Sequence, residues 1–168
     1  MKQRKVLIIG SLSEEPSEEK LQFLQEFIFG LLDRGCKVVN SNGRLLGQYV
    51  TANVVRYAVQ KKFPVTLDSY MMQYVPMIKE VFPKCYSDRD VLASYLRSDF
   101  FAFADTVVVI GGGDGTAKEV DLFYKKFQSL EKQAYFLPFF GGHADSNLGA
   151  LKFSECESAK EVLGVILD

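Results

Sequence analysis

Residues 111–116, Gly-Gly-Gly-Asp-Gly-Thr, put four glycines into five positions ahead of a threonine. The run before them, Thr106-Val107-Val108-Val109-Ile110, has the β-branched composition of a strand buried on both faces. After them, Val120, Phe123 and Phe127 recur at helical spacing. A chain that leaves a buried strand and enters a helix through glycine bares its backbone N–H groups at the helix N-terminus. The chemistry this favours is capture of a phosphate or another anion. A turn without a ligand needs only one or two glycines for positive φ, so Gly111, Gly112, Gly113 and Gly115 exceed that need. Asp114 and Thr116 complete the candidate anion loop. Glu119 follows, expected in the first turn of that helix and facing the same pocket. Taken alone, its carboxylate complements the positive helix end by roughly 0.3–1 kcal/mol.

Two motifs with glycine-rich phosphate loops fit poorly. The dinucleotide fingerprint GxGxxG wants a final glycine and a place at the first helix, and this loop has neither. A P-loop needs Gly-Lys-Ser/Thr, and no lysine stands at that place.

The elements that must position the loop follow from periodicity. Residues 5–9 read as a first strand ending at Gly10-Ser11. Acids and Pro16 in residues 13–19 fall in the first turn of a helix whose apolar face runs Leu21, Leu24, Phe27, Ile28, Leu31 and Leu32, stopped by Gly35. Residues 37–39 form a short strand running into Asn40-Ser41-Asn42-Gly43. A helix over 47–61 is closed by Pro64. Residues 65–90, rich in Tyr, Met and Phe, read as a short strand with an irregular insertion. A helix over 90–104 leads into the glycine stretch. Residues 134–139 form another strand, ending in Phe140-Gly141-Gly142-His143-Ala144, and a helix spans 158–167.

Strands alternating with helices imply parallel βαβ units, a central sheet and helices on both faces. Ligands of such sheets sit beyond the carboxyl ends of the strands. Four polar or glycine-rich segments follow strands: Gly10-Ser11, Asn40 with Ser41, Asn42 and Gly43, the loop from Gly111 to Thr116, and Gly141-Gly142-His143-Ala144. All four are expected to gather at one edge. His143, the single histidine of the chain, either contacts a base or phosphate there or is a turn residue.

The 168 residues suit one domain spanning the whole chain, and 48% hydrophobic with 24% charged residues is the balance of a soluble protein. The net charge of -1 offers no basic field for nucleic acid, and no segment approaches a membrane span. Cys36, Cys85 and Cys156 lack metal-ligand spacing and are odd in number, so neither a disulfide framework nor a metal is expected and the cytoplasm is the expected compartment.

Gly112-Gly113-Asp114-Gly115-Thr116 is also the GGDGT string of NAD kinases and diacylglycerol kinases, enzymes that need a substantial second domain. The chain more fully resembles the SLOG superfamily and its LOG branch, the cytokinin-activating phosphoribohydrolases. Their PGGxGTxxE hallmark, preceded by Ala-Asp and an apolar strand, is matched by Ala104-Asp105, residues 106–110, and Gly111 through Glu119, with Gly111 in place of the proline. The similarity includes the KVLIIGS start. It also includes residues 39–47, where the family has a YGGG-type turn, and residues 139–144, similar to a Pro-x-x-Gly-Gly-x-Ala segment. Residues 65–90 are unmatched.

The resemblance implies a single-domain α/β fold, a Rossmann-like three-layer sandwich with a mainly parallel sheet, working without a cofactor and commonly as a homodimer. It implies a small-molecule nucleotide held by the glycine loop and Thr116. In the enzymes, a glutamate at the position of Glu119 holds ribose hydroxyls or stabilises an oxocarbenium-like state during N-glycosidic hydrolysis. An arginine in the preceding helix takes part. Arg97 is the candidate here, one residue off the family's Arg-Lys pair, with Arg89 a lesser substitute and surface pairing with Asp99 the plain alternative. The substrate would be a nucleoside monophosphate or an NAD-like nucleotide. Other superfamily members bind nucleotides as sensors without turnover, and that second function stays open.

Overall fold

The computed structural model describes residues 3–61, 70–73, 101–102, 104–127, 133–142, 151–152 and 158–168. Strands β1 (Lys5–Ser11), β2 (Lys37–Asn40), β3 (Met71–Gln73), β4 (Thr106–Gly111), β5 (Gln133–Leu137) and β6 (Leu151–Lys152) form one sheet. Its order is β3-β2-β1-β4-β5-β6, with every neighbouring pair parallel. The helices are α1 (Glu18–Asp33), α2 (Leu46–Gln60), α3 (Asp114–Phe127) and α4 (Ala159–Leu167).

The strand order carries the main consequence for function. From β1 the chain winds outward through β2 to β3, then returns to β4 on the other side of β1 and winds the opposite way. Connections that leave neighbouring strands in opposite directions open a crevice beyond the carboxyl ends of β1 and β4. The glycine loop follows β4 and therefore stands at that crevice.

Side chains along the two central strands alternate between two cores, as a pleat of period two requires. Val6, Ile8, Val108 and Ile110 face a core shared with Phe27, Leu31, Val50, Val54, Val162 and Ile166 from α1, α2 and α4. Leu7, Ile9, Val107 and Val109 face the other, with Phe101, Val120 and Phe123. Helices thus cover both faces, which makes three layers. Each fully buried Leu or Ile side chain contributes roughly 1.5–3 kcal/mol relative to exposure, so the continuous apolar runs of β1 and β4 anchor the molecule.

Several boundaries differ from the sequence expectation. β1 extends through Gly10 and Ser11, which pair with Ile110 and Gly111. α1 begins at Glu18 rather than within residues 13–16, because the Ser17 side chain caps it by accepting from the Lys20 N–H at 3.4 Å. Glu14, Glu15 and Pro16 belong to the loop after β1. β5 ends at Leu137, because Pro138 cannot donate to a ladder, and residues 138–140 turn as a short 3₁₀ helix. α4 starts at the expected place, fixed by a reciprocal capping box between Ser158 and Glu161.

Of the expected helix over 90–104, the described residues Phe101 and Ala102 are helical, and Phe101 packs on Phe123 with ring centroids 5.6 Å apart. Arg97, Arg89, Asp99 and most of residues 65–90 lie outside the described residues. In the described part of that aromatic segment, Tyr70 meets Tyr57 edge-on at 5.5 Å and Met71 is buried, so both serve the core. Asp105 accepts the Lys5 N–H at 2.8 Å and donates its own to the Lys5 carbonyl, a structural role at the amino end of the sheet.

Candidate functional site

The carboxyl edge of β1 and β4 holds an open cleft of about 290 Å³ lined by Ser11, Leu12, Ser13, Arg44, Gly111, Gly112, Gly113, Phe140 and Gly142. Three of the four expected segments thus meet there directly: the end of β1, the glycine loop and the turn after β5. A second cleft of about 330 Å³ adjoins it across Leu12, Ser13 and Phe140, and is lined further by Glu14, Glu15, Pro16, Ser17 and Lys20. Phe140, wedged against Phe23 at 5.6 Å, forms the apolar divide between the two.

Backbone meets backbone throughout this edge, and that is why glycine recurs. A Cβ on Gly10 would overlap the Ile110 carbonyl, and one on Gly43 would overlap the carbonyl of Gly10. One on Gly142 would overlap the Gly112 carbonyl. The Gly112 N–H donates to the Ser11 carbonyl at 2.9 Å, which stitches the glycine loop to β1. Gly111 and Gly112 both have positive φ, 62° and 95°, and turn the chain sharply from β4 into α3.

α3 starts at Asp114, and its first hydrogen bond within the helix runs from the Ala117 N–H to the Gly113 carbonyl at 3.0 Å. A helix start of this kind leaves its first N–H groups without acceptors in the helix itself, the general setting for anion capture. Gly113 lines the cleft, while Asp114 and Gly115 are exposed. Thr116 is buried, and its side chain packs against Gly112, where it braces the loop rather than lining the cleft.

Glu119 was expected in the first turn of the helix and facing the pocket. It is the sixth residue of α3, in the second turn, half-buried, and not among the cleft's lining residues. The helix begins at Asp114, earlier than a first-turn Glu119 requires, because Asp114, Gly115 and Thr116 already belong to it. Thr116 and Glu119, three residues apart, do share a helix face. Arg97 and His143 lie outside the described residues.

The loop after β2 has a different role from the one expected. Ser41, Asn42 and Gly43 are not among the cleft's lining residues, and Gly43 packs on the Gly10 carbonyl. Asn40 is buried, and its side chain organises the turn: Oδ1 accepts from the Asn42 N–H at 2.9 Å, while Nδ2 donates to the Gly47 carbonyl at 3.0 Å and to Thr51 Oγ1 at 3.1 Å. Asn42 and Leu45 both take positive φ, 59° and 58°. At Leu45, the Leu46 N–H closes back onto the Arg44 carbonyl at 2.6 Å, which makes a γ-turn of the strained, positive-φ kind. The same carbonyl accepts the Leu12 N–H at 3.1 Å. The residue so held, Arg44, is exposed and lines the cleft, and among the described residues its guanidinium has no hydrogen-bond or ion-pair partner.

Arg44 is the residue that sequence reasoning missed. Its signal was a cation one position past a strand-end loop, but only the fold reveals which loop abuts the glycines. Leu12, Ser13 and Phe140 were likewise unforeseen as lining residues. Across the adjoining cleft, Glu15 accepts a hydrogen bond from the Tyr49 hydroxyl, which ties the β1–α1 loop to α2. That bond holds the Tyr49 phenol above its ordinary pKa. Among the described residues no cluster of His, Cys, Asp or Glu could hold a metal ion. No helix among them is long and apolar enough to cross a membrane.

No protein-family model matches the chain, and no curated protein matches it. Solved structures do. The structural-genomics target TM1055 is 18% identical with a TM-score of 0.62, covering 97% of this chain and 99% of that one. The molybdenum cofactor carrier protein of Chlamydomonas reinhardtii is 15% identical with a TM-score of 0.57, covering 99% of each chain. DNA processing protein A from Helicobacter pylori, described with a single-stranded DNA binding mode, is 14% identical with a TM-score of 0.58, covering 98% of this chain and 80% of that one. At such identities the likeness concerns the fold: the chain is a Rossmann-like α/β domain.

Proposed function

We propose that the chain, acting as one domain over residues 1–168, binds a small-molecule nucleotide in the cleft at the ends of β1 and β4. The observation that carries this reading is the start of α3. Gly113, the residue just before α3, lines a cleft that the cation Arg44 also lines. A phosphate is the common group that uses both a helix start and a guanidinium. Gly141 and His143 would contact the ligand as well.

The second reading adds hydrolysis of an N-glycosidic bond. It is favoured by Glu119, half-buried on the face of α3 that carries Thr116. For a carboxylate one turn beyond the anion site, the natural target is a ribose carrying that phosphate, with Arg97 as its partner in the enzyme. A nucleotide sensor without turnover needs neither residue. A GGDGT-type phosphotransferase has no observation in its favour.

The reading extends to a homodimer in the cytoplasm. Val55 and Val59, exposed one turn apart on α2, form an apolar strip suited to a copy of the same chain. Size measurement by light scattering checks the dimer.

The test is calorimetric binding of AMP, ADP-ribose, cyclic ADP-ribose, NAD and a single-stranded oligonucleotide, with each mixture analysed for free base. Nucleotide binding is expected. Release of adenine or nicotinamide that Glu119→Gln lowers at least a hundredfold, with affinity nearly unchanged, would establish the hydrolase. Full recovery of every ligand would leave the sensor, and binding of the oligonucleotide alone would overturn the small-molecule reading.

A further inference from the structure

The two clefts share Leu12, Ser13 and Phe140, so one wall serves both. Leu12 and Phe140 are buried in the core, whereas Ser13 is exposed. Ser13 begins a strap, residues 13–16, that leads from the end of β1 to the cap of α1. The strap is anchored at each end. Before it, the Leu12 N–H donates to the Arg44 carbonyl at 3.1 Å; after it, Ser17 caps α1.

Between those anchors the backbone is unsupported. Ser13, Glu14 and Glu15 are exposed, and none makes a backbone hydrogen bond among the described residues. A segment with few buried contacts and no backbone bonds opens at little cost. Among the described residues one side-chain bond holds it: the Glu15 carboxylate accepts from the Tyr49 hydroxyl. The Tyr49 end of that bond is firm. Its side chain packs against the core that α1, α2 and α4 cover, and its carbonyl accepts from Asn53 Nδ2 at 2.9 Å. That second bond is kept although buried Asn53 Oδ1 has no partner among the described residues, a cost an apolar side chain would avoid.

We propose that the Tyr49–Glu15 bond is a latch, and that the strap it holds is a movable wall between the two clefts. Latched, the strap keeps the glycine-lined cleft apart from the one lined by Glu14 and Glu15. Released, Ser13 swings with the strap and the two spaces join. Glu15 itself lines the second cleft, so the latch lies within reach of what enters there. Such a latch acts whether or not the first cleft takes a nucleotide.

The experiment is NMR on the full chain as wild type, Tyr49→Phe, Glu15→Ala and the double variant. Backbone nitrogen relaxation reads Ser13, Glu14 and Glu15 directly. Wild type is expected at an order parameter of about 0.85, as in rigid backbone, and each single variant below about 0.6. α1 and α2 should keep their order parameters, and the variants should melt close to wild type. The double variant should be no looser than either single one, because both changes remove the same bond. The amide shifts of Gly112 and Gly113, which line the first cleft, should move as the strap loosens.

A strap already loose in wild type would overturn the proposal, and so would one that stays rigid in the variants. Loosening that spreads through α1 and α2 would do the same, since the bond would then support the fold rather than the strap. A double variant looser than both single ones would mean that the two side chains act separately, with no latch between them. Amide shifts of Gly112 and Gly113 that stay fixed while the strap loosens would remove the movable wall.

Discussion

The loops after β2 and β4 are both strand-to-helix turns at the same sheet edge, yet they solve their backbone problem in opposite ways. The loop after β2 satisfies itself. Asn40 caps the Asn42 N–H and the Gly47 carbonyl, and the Gly47 N–H reaches the Gly43 carbonyl at 2.8 Å. The loop after β4 uses glycine and leaves the donors at the start of α3 without helical acceptors. The first is a closed brace that offers one side chain, Arg44. The second is open backbone that suits an anion. A buried, hydrogen-bonded amide builds rigidity, whereas exposed N–H groups build affinity.

Three substitutions would break or sharpen that contrast. The largest effect is expected from Gly43→Ala. Its Cβ would overlap the Gly10 carbonyl, and Gly10 already lies against Ile110, so no backbone there has room to yield. A loss of about 3 kcal/mol or more is expected, at the severe end for overpacking. Urea denaturation measures it, and an unchanged midpoint would contradict the packing described. Asn40→Ala should rank second, at about 1–3 kcal/mol, because it strips three hydrogen bonds from a buried position. It should also loosen Arg44, so affinity for a phosphorylated ligand is expected to fall along with stability.

Gly115→Ala should have the smallest effect on folding. An added Cβ there meets nothing within 4 Å, and alanine is preferred to glycine in a helix by up to about 1 kcal/mol. The melting temperature is expected to hold or rise. If a phosphate sits against the first turn of α3, the new methyl group should still weaken its binding severalfold. A variant that is both more stable and equally tight would mean that the ligand does not approach Gly115.

Much of this contrast could be read locally, and some could not. The glycine loop announced itself through four glycines between an apolar run and a helical pattern. The brace at Asn40 did not. An asparagine after a short strand looks like any turn residue until Gly47 and Thr51, on the next helix, are seen to meet its amide. Glu119 shows a different failure. A spacing of three from Thr116 places it on a helix face correctly, but the first helical residue sets which turn that is. The helix already starts at Asp114, so Glu119 falls in its second turn and outside the cleft lining. The ends of β1 and β5 shifted for comparable reasons. Pairing with β4 drew Gly10 and Ser11 into the ladder, and Pro138 withdrew its neighbours from it.

Composition and periodicity were therefore enough for the parallel α/β sandwich, its two-sided core, and the gathering of strand-end loops at one edge. Those features rest on short-range rules: side chains alternate along strands, recur every three or four residues on helices, and parallel strands need helical crossovers. Which loops face each other depends on strand order, and strand order is decided by packing between residues far apart in the chain. Only with β1 placed between β2 and β4 does Arg44 come to line the same cleft as Gly111, Gly112 and Gly113. No local pattern links an arginine to glycines almost seventy positions away; the sheet does.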